Sequence, residues 1–105
     1  MKIHGNSLQN KDKHHLYEII DTEENDTFKY GISGENLNQD GTSPRAKQQE
    51  TIFNLVVNKN RFTSQVLITE IAGRQKAKQL ENEHITAYEN KNGCKPRGNL
   101  IGGEL

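Results

Sequence analysis

Hydrophobic positions are grouped into short runs between polar clusters, and these runs predict three strands. Residues 15–20 combine β-branched and aromatic side chains over a length suited to a strand, and residues 28–32 repeat that composition. The turn-forming cluster at residues 21–26 lies between them, so the two runs predict an antiparallel hairpin. The clearest strand is predicted at residues 65–71 and should end at Gly73.

Two helices are predicted around the third strand. Ser43 and Pro44 are a favourable start for the first, because serine can accept a hydrogen bond from a free amide and proline fits the first turn. This helix should run through Phe53. A longer helix should span about residues 74–90 and be closed near Gly93. The order β-β-α-β-α predicts a small α/β fold with a three-stranded mixed or antiparallel sheet flanked by helices.

The composition predicts one small domain. The chain has 105 residues, of which 30% are hydrophobic, and it contains no tryptophan, so the core should be small. Basic and acidic residues are equal at 14 each, so any binding to nucleic acid would depend on local basic patches. We expect residues 1–13 to form a polar arm, residues 14–99 the folded domain and residues 100–105 a tail.

Three further sequence features limit the class of protein. Cys94 is the only cysteine, which excludes an intrachain disulfide. No apolar run approaches the roughly 18 residues of a membrane span. The first residues lack the apolar region of a signal peptide, so we expect any export signal to lie on a longer parent chain.

The predicted long helix carries a carboxylate at the centre of its apolar side. Glu81 lies four residues from both Ala77 and Ile85, whereas Glu83 faces the opposite side. A carboxylate in that position costs free energy unless a cation, a metal or several donors compensate it, which makes Glu81 a candidate functional residue. The alternative is that Glu81 lies at the edge of the stripe and pairs with a lysine or an arginine.

The predicted hairpin and the first helix supply the other candidates. Tyr17 could orient or deprotonate water, although its phenol, with an ordinary pKa of ~10, would need a nearby cation. Lys29 and Tyr30 lie on the paired strand and could face the same site. Arg45 opens a helix, where phosphates are attracted. Taken singly, a residue such as Tyr17 is more often a core or rim residue, and a residue such as Arg45 is more often on the surface.

Histidine ligation of a metal is a weaker possibility. His14 and His15 are adjacent, so on a strand they face opposite sides and could not easily share a metal. Together with His4 and His84 they match no recognisable zinc spacing. A histidine-metal nuclease using His14 or His15 with Asn99 therefore has little support.

The order of these candidates resembles the GIY-YIG nuclease module over about residues 14–99. His-Leu-Tyr at residues 15–17 stands where that family has its "GIY" motif. Residues 29–33 stand where the family has "YIG" followed by serine. Arg45 matches the arginine of the first helix, and Glu81 matches the glutamate of the later helix. Pro-Arg-Gly-Asn at residues 96–99 resembles the closing element.

The chain also departs from that family in ways that point to a divergent branch. Only Tyr17 is kept from the first element, and Lys29 occupies the second tyrosine position, with Tyr30 displaced by one. This form is similar to the nuclease domains at the C-terminal ends of bacterial polymorphic toxins, including those that follow RHS-type repeats. Residues 3–8 resemble the junction that precedes such toxin domains.

The resemblance implies hydrolysis of phosphodiester bonds, in DNA more than in RNA, with Mg²⁺ or another divalent cation. Glu81 would be the protein ligand of the metal, and Arg45 would stabilise charge on the phosphoryl group. Tyr17 would orient or deprotonate the attacking water, and Lys29 or Tyr30 would lower the pKa of Tyr17. Any of these three residues could be the base. Asn99 is expected to brace the site.

The resemblance also implies partners and a location. The domain would be secreted or delivered as part of a larger antibacterial protein and would act in the cytoplasm of the target cell. A cognate immunity protein, acidic where it covers a basic rim around Arg45 and Lys29, would protect the producing cell. No membrane partner is expected. A ribonuclease toxin, or a catalytically silent binding module with the same fold, remains an alternative.

Overall fold

The computed structural model describes residues 12–100 of the chain. The described elements are strands β1 (Lys13–Asp21), β2 (Asp26–Ser33) and β3 (Phe62–Ala72), helices α1 (Pro44–Val57) and α2 (Arg74–Asn92), and a 3₁₀ turn at Arg97–Asn99. This order confirms the predicted β-β-α-β-α arrangement. Most of the predicted arm at residues 1–13 and of the tail at 100–105, and all of the junction-like segment at residues 3–8, lie outside the described residues.

The three strands form one wholly antiparallel sheet in the order β2-β1-β3. The central strand is thus β1, which lies opposite Gly31 of β2 and Val66 of β3 at the position of Tyr17. Each strand is longer than the sequence pattern predicts, because pairing with neighbours continues into flanking polar residues. No helix within residues 12–100 is both long and apolar enough to cross a membrane.

Side chains of β1 alternate between two hydrophobic clusters, one beside each helix. Tyr17 and Ile19 pack with residues of α1 and β3, whereas Leu16 packs with residues of α2 and β3. The first cluster consists of Tyr17, Ile19, Ala46, Phe53 and Phe62, with Phe28 and Val57 packed against it. The second consists of Leu16, Ile71 and Ala77, with Ile32, Ile68 and Leu80 packed against it.

The helix ends follow local rules that are visible in the sequence. The Ser43 hydroxyl accepts a hydrogen bond from the amide of Ala46 at 3.1 Å, which caps α1 as predicted. Helix α1 ends at Val57, and the capping residue Asn58 has a left-handed conformation with a φ of 56°. Helix α2 extends two residues beyond the predicted residue 90 and is closed by Gly93, whose φ is 82°.

A fully buried carboxylate joins the ends of β1 and β3 to the C-terminal turn. Asp21 accepts hydrogen bonds from Arg61, at 2.9 Å from Nε and 2.7 Å from Nη2, and it also contacts the guanidinium of Arg97. The backbone amides of Glu23 and Glu24 donate to the same side chain at 3.0 and 3.2 Å. Hydrogen bonding from Arg61, reinforced by Arg97, holds the pKa of Asp21 far below its ordinary value despite burial.

Replacing this carboxylate should destabilise the fold strongly. Asp21→Asn removes the described counter-charge of Arg97 and leaves Arg61 only the more distant Glu23 and Glu24, at 3.7 and 4.0 Å, so we expect a loss of about 3 kcal/mol in the free energy of unfolding at pH 7. Because the folded-state pKa is depressed, the stabilisation is present above the unfolded-state value of ~3.9 and is lost as the pH falls below it. Urea unfolding between pH 3 and pH 7 measures both effects.

The exposed Glu89→Gln variant is the matched control, since it removes a carboxylate that no described ion pair uses. It should change stability by less than about 0.5 kcal/mol. Equal stabilities for Asp21→Asn and Glu89→Gln would contradict a stabilising role for the Asp21 cluster.

Candidate functional site

Tyr17 is buried at the centre of the sheet, with 1% of its surface exposed. Its hydroxyl donates a hydrogen bond of 2.8 Å to Oε1 of Gln49 on α1. The phenol ring lies directly against Gly31 of the neighbouring strand: a Cβ at that position would collide with Cζ and the hydroxyl oxygen and would lie 2.8 Å from Cε1. The glycine of the "YIG"-like element is therefore required by the position of the phenol.

Lys29 and Gln49 complete a buried polar group around Tyr17. Lys29 pairs with Ile19 across β1 and β2, so it lies on the same side of the sheet as Gly31. Its Nζ donates to Oε1 of Gln49 at 3.3 Å, and the two residues are only 2% and 1% exposed. Lys29 consequently faces the Tyr17 site, but it cannot belong to an exposed basic rim.

Sequence reasoning missed Gln49, although a signal for it exists. Gln49 lies three residues after Ala46 and four before Phe53, and all three are buried on α1. A polar residue in the middle of an apolar helical stripe is the same pattern that drew attention to Glu81 on the longer helix. Applied to both helices, that criterion would have identified Gln49.

Charged residues of both helices act on Tyr17, although Glu81 belongs to the α2 stripe, whose Ala77 packs with Leu16 on the other side of the sheet. Burial raises the pKa of Tyr17 to about 12 and outweighs the lowering effect of Arg45, which acts through its charge and a hydrogen bond. The charge of Glu81 raises the pKa further, and the hydrogen bond with Gln49 lowers it. A nearby cation does lower the phenol pKa, but that cation is Arg45 instead of Lys29, and burial is the larger effect. Tyr17 is protonated at neutral pH.

Glu81 lies in the apolar stripe of α2, as its position in the sequence indicates. It is 8% exposed and follows the fully buried Ala77, whereas Glu83 is exposed. Lys78, one turn earlier, donates from Nζ to Glu81 Oε1 at 2.9 Å. Glu81 therefore combines features of both interpretations: its carboxylate is buried in the apolar stripe, and it is paired with a lysine.

Glu81 offers one carboxylate, a type of ligand that hard cations bind. Within residues 12–100, no group of three or more His, Cys, Asp or Glu side chains is arranged to hold a metal ion. A lone carboxylate is compatible with Mg²⁺, which commonly keeps several of its waters and binds through one or two carboxylates. It is incompatible with a structural zinc site, which needs four protein ligands.

Tyr30 does not join the Tyr17 group. Adjacent residues of a strand point to opposite faces, so Tyr30 faces α2 while Lys29 faces α1. The Tyr30 ring packs edge-on against His84, with centroids 5.4 Å apart. Burial is the main cause that raises its pKa, and a hydrogen bond with Thr27 partly opposes it. The expectation that Lys29 and Tyr30 could both face the site is corrected: only Lys29 does.

Asn99 binds the backbone of Tyr30 instead of its side chain. Its Nδ2 donates to the Tyr30 carbonyl, and its Oδ1 accepts from the Tyr30 amide, each at 3.0 Å. This pair of bonds imitates the pairing of a further strand along the edge of β2. Asn99 thereby attaches the C-terminal turn to the strand that carries Lys29 and Gly31.

The two adjacent histidines have separate partners. His15 Nε2 lies 2.7 Å from the Ser43 hydroxyl at the start of α1, and burial lowers its pKa. His14 Nδ1 lies 2.6 Å from the carbonyl oxygen of Asp12. The histidine-metal alternative therefore gains no support, since these residues do not share a site and Asn99 is bound to the edge of β2.

The contact between Tyr17 and Gly31 gives a direct test of the site. Gly31→Ala should displace the phenol, break its bond with Gln49 and destabilise the protein by about 1–3 kcal/mol, the usual cost of overpacking. In a Tyr17→Leu background the clashing atoms are absent, so the same alanine should cost much less. Urea unfolding of the four proteins measures the difference. An equal penalty in both backgrounds would exclude the phenol as the cause.

Comparison with known proteins adds one match. A family model described as URI fold toxin 2 matches residues 7–93, which include the whole sheet and both helices. The match ends before the turn that carries Asn99. The comparisons with curated proteins and with solved structures found no match.

Proposed function

From the premise that this chain belongs to the URI fold toxin 2 family, and is therefore a toxin domain, we propose that it is a metal-dependent endonuclease. Its reaction is the hydrolysis of phosphodiester bonds, with DNA preferred over RNA. The observation that carries the proposal is the electrostatic neighbourhood of Tyr17, in which Arg45 from α1 and Glu81 from α2 both change the pKa of a phenol from β1. A strongly perturbed titratable group with charged neighbours from other elements is typical of a catalytic site.

Arg45 is the proposed binding group for the scissile phosphate. It lies in the first turn of α1, where free backbone amides and the helix dipole favour an anion. Its guanidinium can donate two parallel hydrogen bonds to phosphate oxygens and offset charge that develops on them. Because Arg45 also interacts with Tyr17, the phosphate and the phenol would lie side by side.

Tyr17 is the proposed residue that orients the attacking water. Among Tyr17, Lys29 and Tyr30, the three alternatives for the base, Tyr30 faces the opposite side of the sheet and Lys29 is engaged with Gln49. A phenol with a pKa of about 12 is a poor proton acceptor at neutral pH, so a hydrogen bond to the water is the role that fits it.

Glu81 is the residue that would hold the divalent cation, with Mg²⁺ the preferred ion. When bound, the cation supplies positive charge that stabilises the leaving oxygen. Lys78, whose side chain is 45% exposed, can turn into solvent and release the carboxylate. Asn99 would be a positioning residue that fixes β2 through the Tyr30 backbone. These assignments correspond to a divergent GIY-YIG site in which Lys29 replaces the second tyrosine.

The biological setting that we propose follows from membership of a toxin family. The domain is delivered into a target cell as the C-terminal part of a larger secreted antibacterial protein and acts in the cytoplasm. A cognate immunity protein with acidic groups facing Arg45 protects the producing cell. Lys29 is buried and does not take part in that contact.

The enzymatic proposal predicts a specific loss of cleavage on neutralising Glu81. Glu81→Gln should lower plasmid cleavage in Mg²⁺ by a factor of about 100 or more, because it removes the proposed metal ligand while keeping the side-chain volume. Glu83→Gln, on the exposed side of the same helix, should cleave like the parent chain. Gel electrophoresis of plasmid DNA and of total RNA, each with Mg²⁺ or EDTA, measures cleavage.

The same assay separates the competing functions and tests the metal assignment. Cleavage of RNA but not DNA would favour a ribonuclease toxin, and cleavage of neither would favour a silent binding module, which the equal numbers of acidic and basic residues also suit. Unchanged cleavage by Glu81→Gln, or full activity in EDTA, would contradict the metal assignment.

The immunity proposal predicts toxicity that a partner relieves. Expression of the chain in the bacterial cytoplasm should reduce colony formation by about a hundredfold or more, as expected of an unregulated phosphodiester hydrolase with its large rate enhancement. Co-expression of a neighbouring acidic gene product should restore growth. Normal growth of cells that express the active parent chain alone would count against a cytoplasmic target.

A further inference from the structure

The amide of Gln49 has only one orientation that satisfies its neighbours. Tyr17 and Lys29 both bond to the same terminal atom, at 2.8 and 3.3 Å. A lysine side chain has donors but no acceptor when charged, so the atom that it meets must be the carbonyl oxygen of the glutamine. The contact from Lys29 therefore fixes Oε1, and not Nε2, against the phenol.

This orientation determines where the phenol proton lies. A carbonyl oxygen can only accept, so Tyr17 must donate its proton to Gln49. The phenol oxygen then acts only as an acceptor: Arg45 donates to it, and its second lone pair remains available to accept a hydrogen bond from another group. The nearby Nζ of Lys29 polarises the amide and strengthens it as an acceptor, as expected for linked hydrogen bonds in a buried network.

The other end of the Gln49 amide is also informative. Its Nε2 is buried and has no hydrogen-bond partner among the described residues. A buried donor without a partner costs about 1–3 kcal/mol, and the Gln49 oxygen must offset that cost by accepting from Tyr17 and Lys29. The cost is consistent with selection of Gln49 for its oxygen.

We infer that Gln49 is a positioning residue that holds the Tyr17 proton away from the reaction, so that the phenol oxygen accepts a hydrogen bond from the attacking water. No proton is transferred to Gln49, and no bond is formed or broken there. The inference rests on the proposed nuclease function and specifies how a phenol that remains protonated at neutral pH contributes to it.

The test compares two changes of Gln49 that differ in acceptor capacity. Gln49→Met keeps the approximate volume but removes the acceptor. It should lower kcat by about 10–100-fold with little change in KM, a smaller loss than the ~10²–10⁴-fold expected for a general acid or base, because Gln49 acts only through Tyr17. Gln49→Glu keeps an acceptor for both Tyr17 and Lys29 and should recover most of that loss. Gln48→Met, on an exposed position of α1, is the matched control.

Coupling to Tyr17 distinguishes a positioning role from a structural one. In a Tyr17→Phe background, Gln49→Met should cause no further loss of kcat, because the hydroxyl that it orients is absent. The ¹³Cζ resonance of Tyr17, assigned by its absence in Tyr17→Phe, should shift in Gln49→Met and stay unchanged in Gln48→Met. Circular dichroism of each variant reports whether the fold is retained.

The failure of this inference can be told apart from that of the proposed function. If the parent chain cleaves and Gln49→Met cleaves equally fast, or if its loss multiplies with that of Tyr17→Phe, the inference is wrong while the nuclease assignment stands. Equal losses in Gln49→Met and Gln49→Glu would also overturn it, since the acceptor would then be irrelevant. If the parent chain cleaves neither DNA nor RNA, both fall.

Discussion

The structure depends on one constraint: β1 must bury both of its faces in a chain with few hydrophobic residues. Its buried positions include His15, Tyr17 and Asp21, whose polar atoms all need partners once water is removed. Those partners lie outside the strand. Ser43 contacts His15 and Gln49 contacts Tyr17, both from the α1 region, and two arginines bind Asp21. The hydrogen bonds that the buried polar atoms of β1 require thus fix the positions of the elements around this strand.

The candidate site is a consequence of the same constraint. A phenol in the middle of a buried strand needs room for its ring and an acceptor for its hydroxyl proton. Gly31, which has no side chain, leaves room for the Tyr17 ring, and Gln49 supplies the acceptor. The resulting burial keeps the phenol protonated, which separates its role from that of an ordinary base. Packing and site chemistry are therefore not independent in this small domain.

Local patterns were sufficient to predict the elements and part of the site. Ser43 and Gly93 mark helix ends through their own backbone preferences, and Glu81 is recognised from helical periodicity alone. The strand order, and the face of the sheet on which each residue lies, are harder to predict from the sequence, because they depend on pairing between distant segments. Tyr30 illustrates the limit: its proximity to Lys29 in sequence suggests one site, whereas the alternation of the strand separates them.

The C-terminal turn protects an edge of the sheet that would otherwise be open. In the described part of the chain β2 is an outer strand, and the amide of Asn99 occupies both backbone groups of Tyr30. Exposed strand edges recruit strands from other molecules, so this small attachment discourages aggregation. A shortened chain that stops at Gly93, where the family match ends, would keep the catalytic candidates of the sheet and helices yet lose this safeguard against self-association.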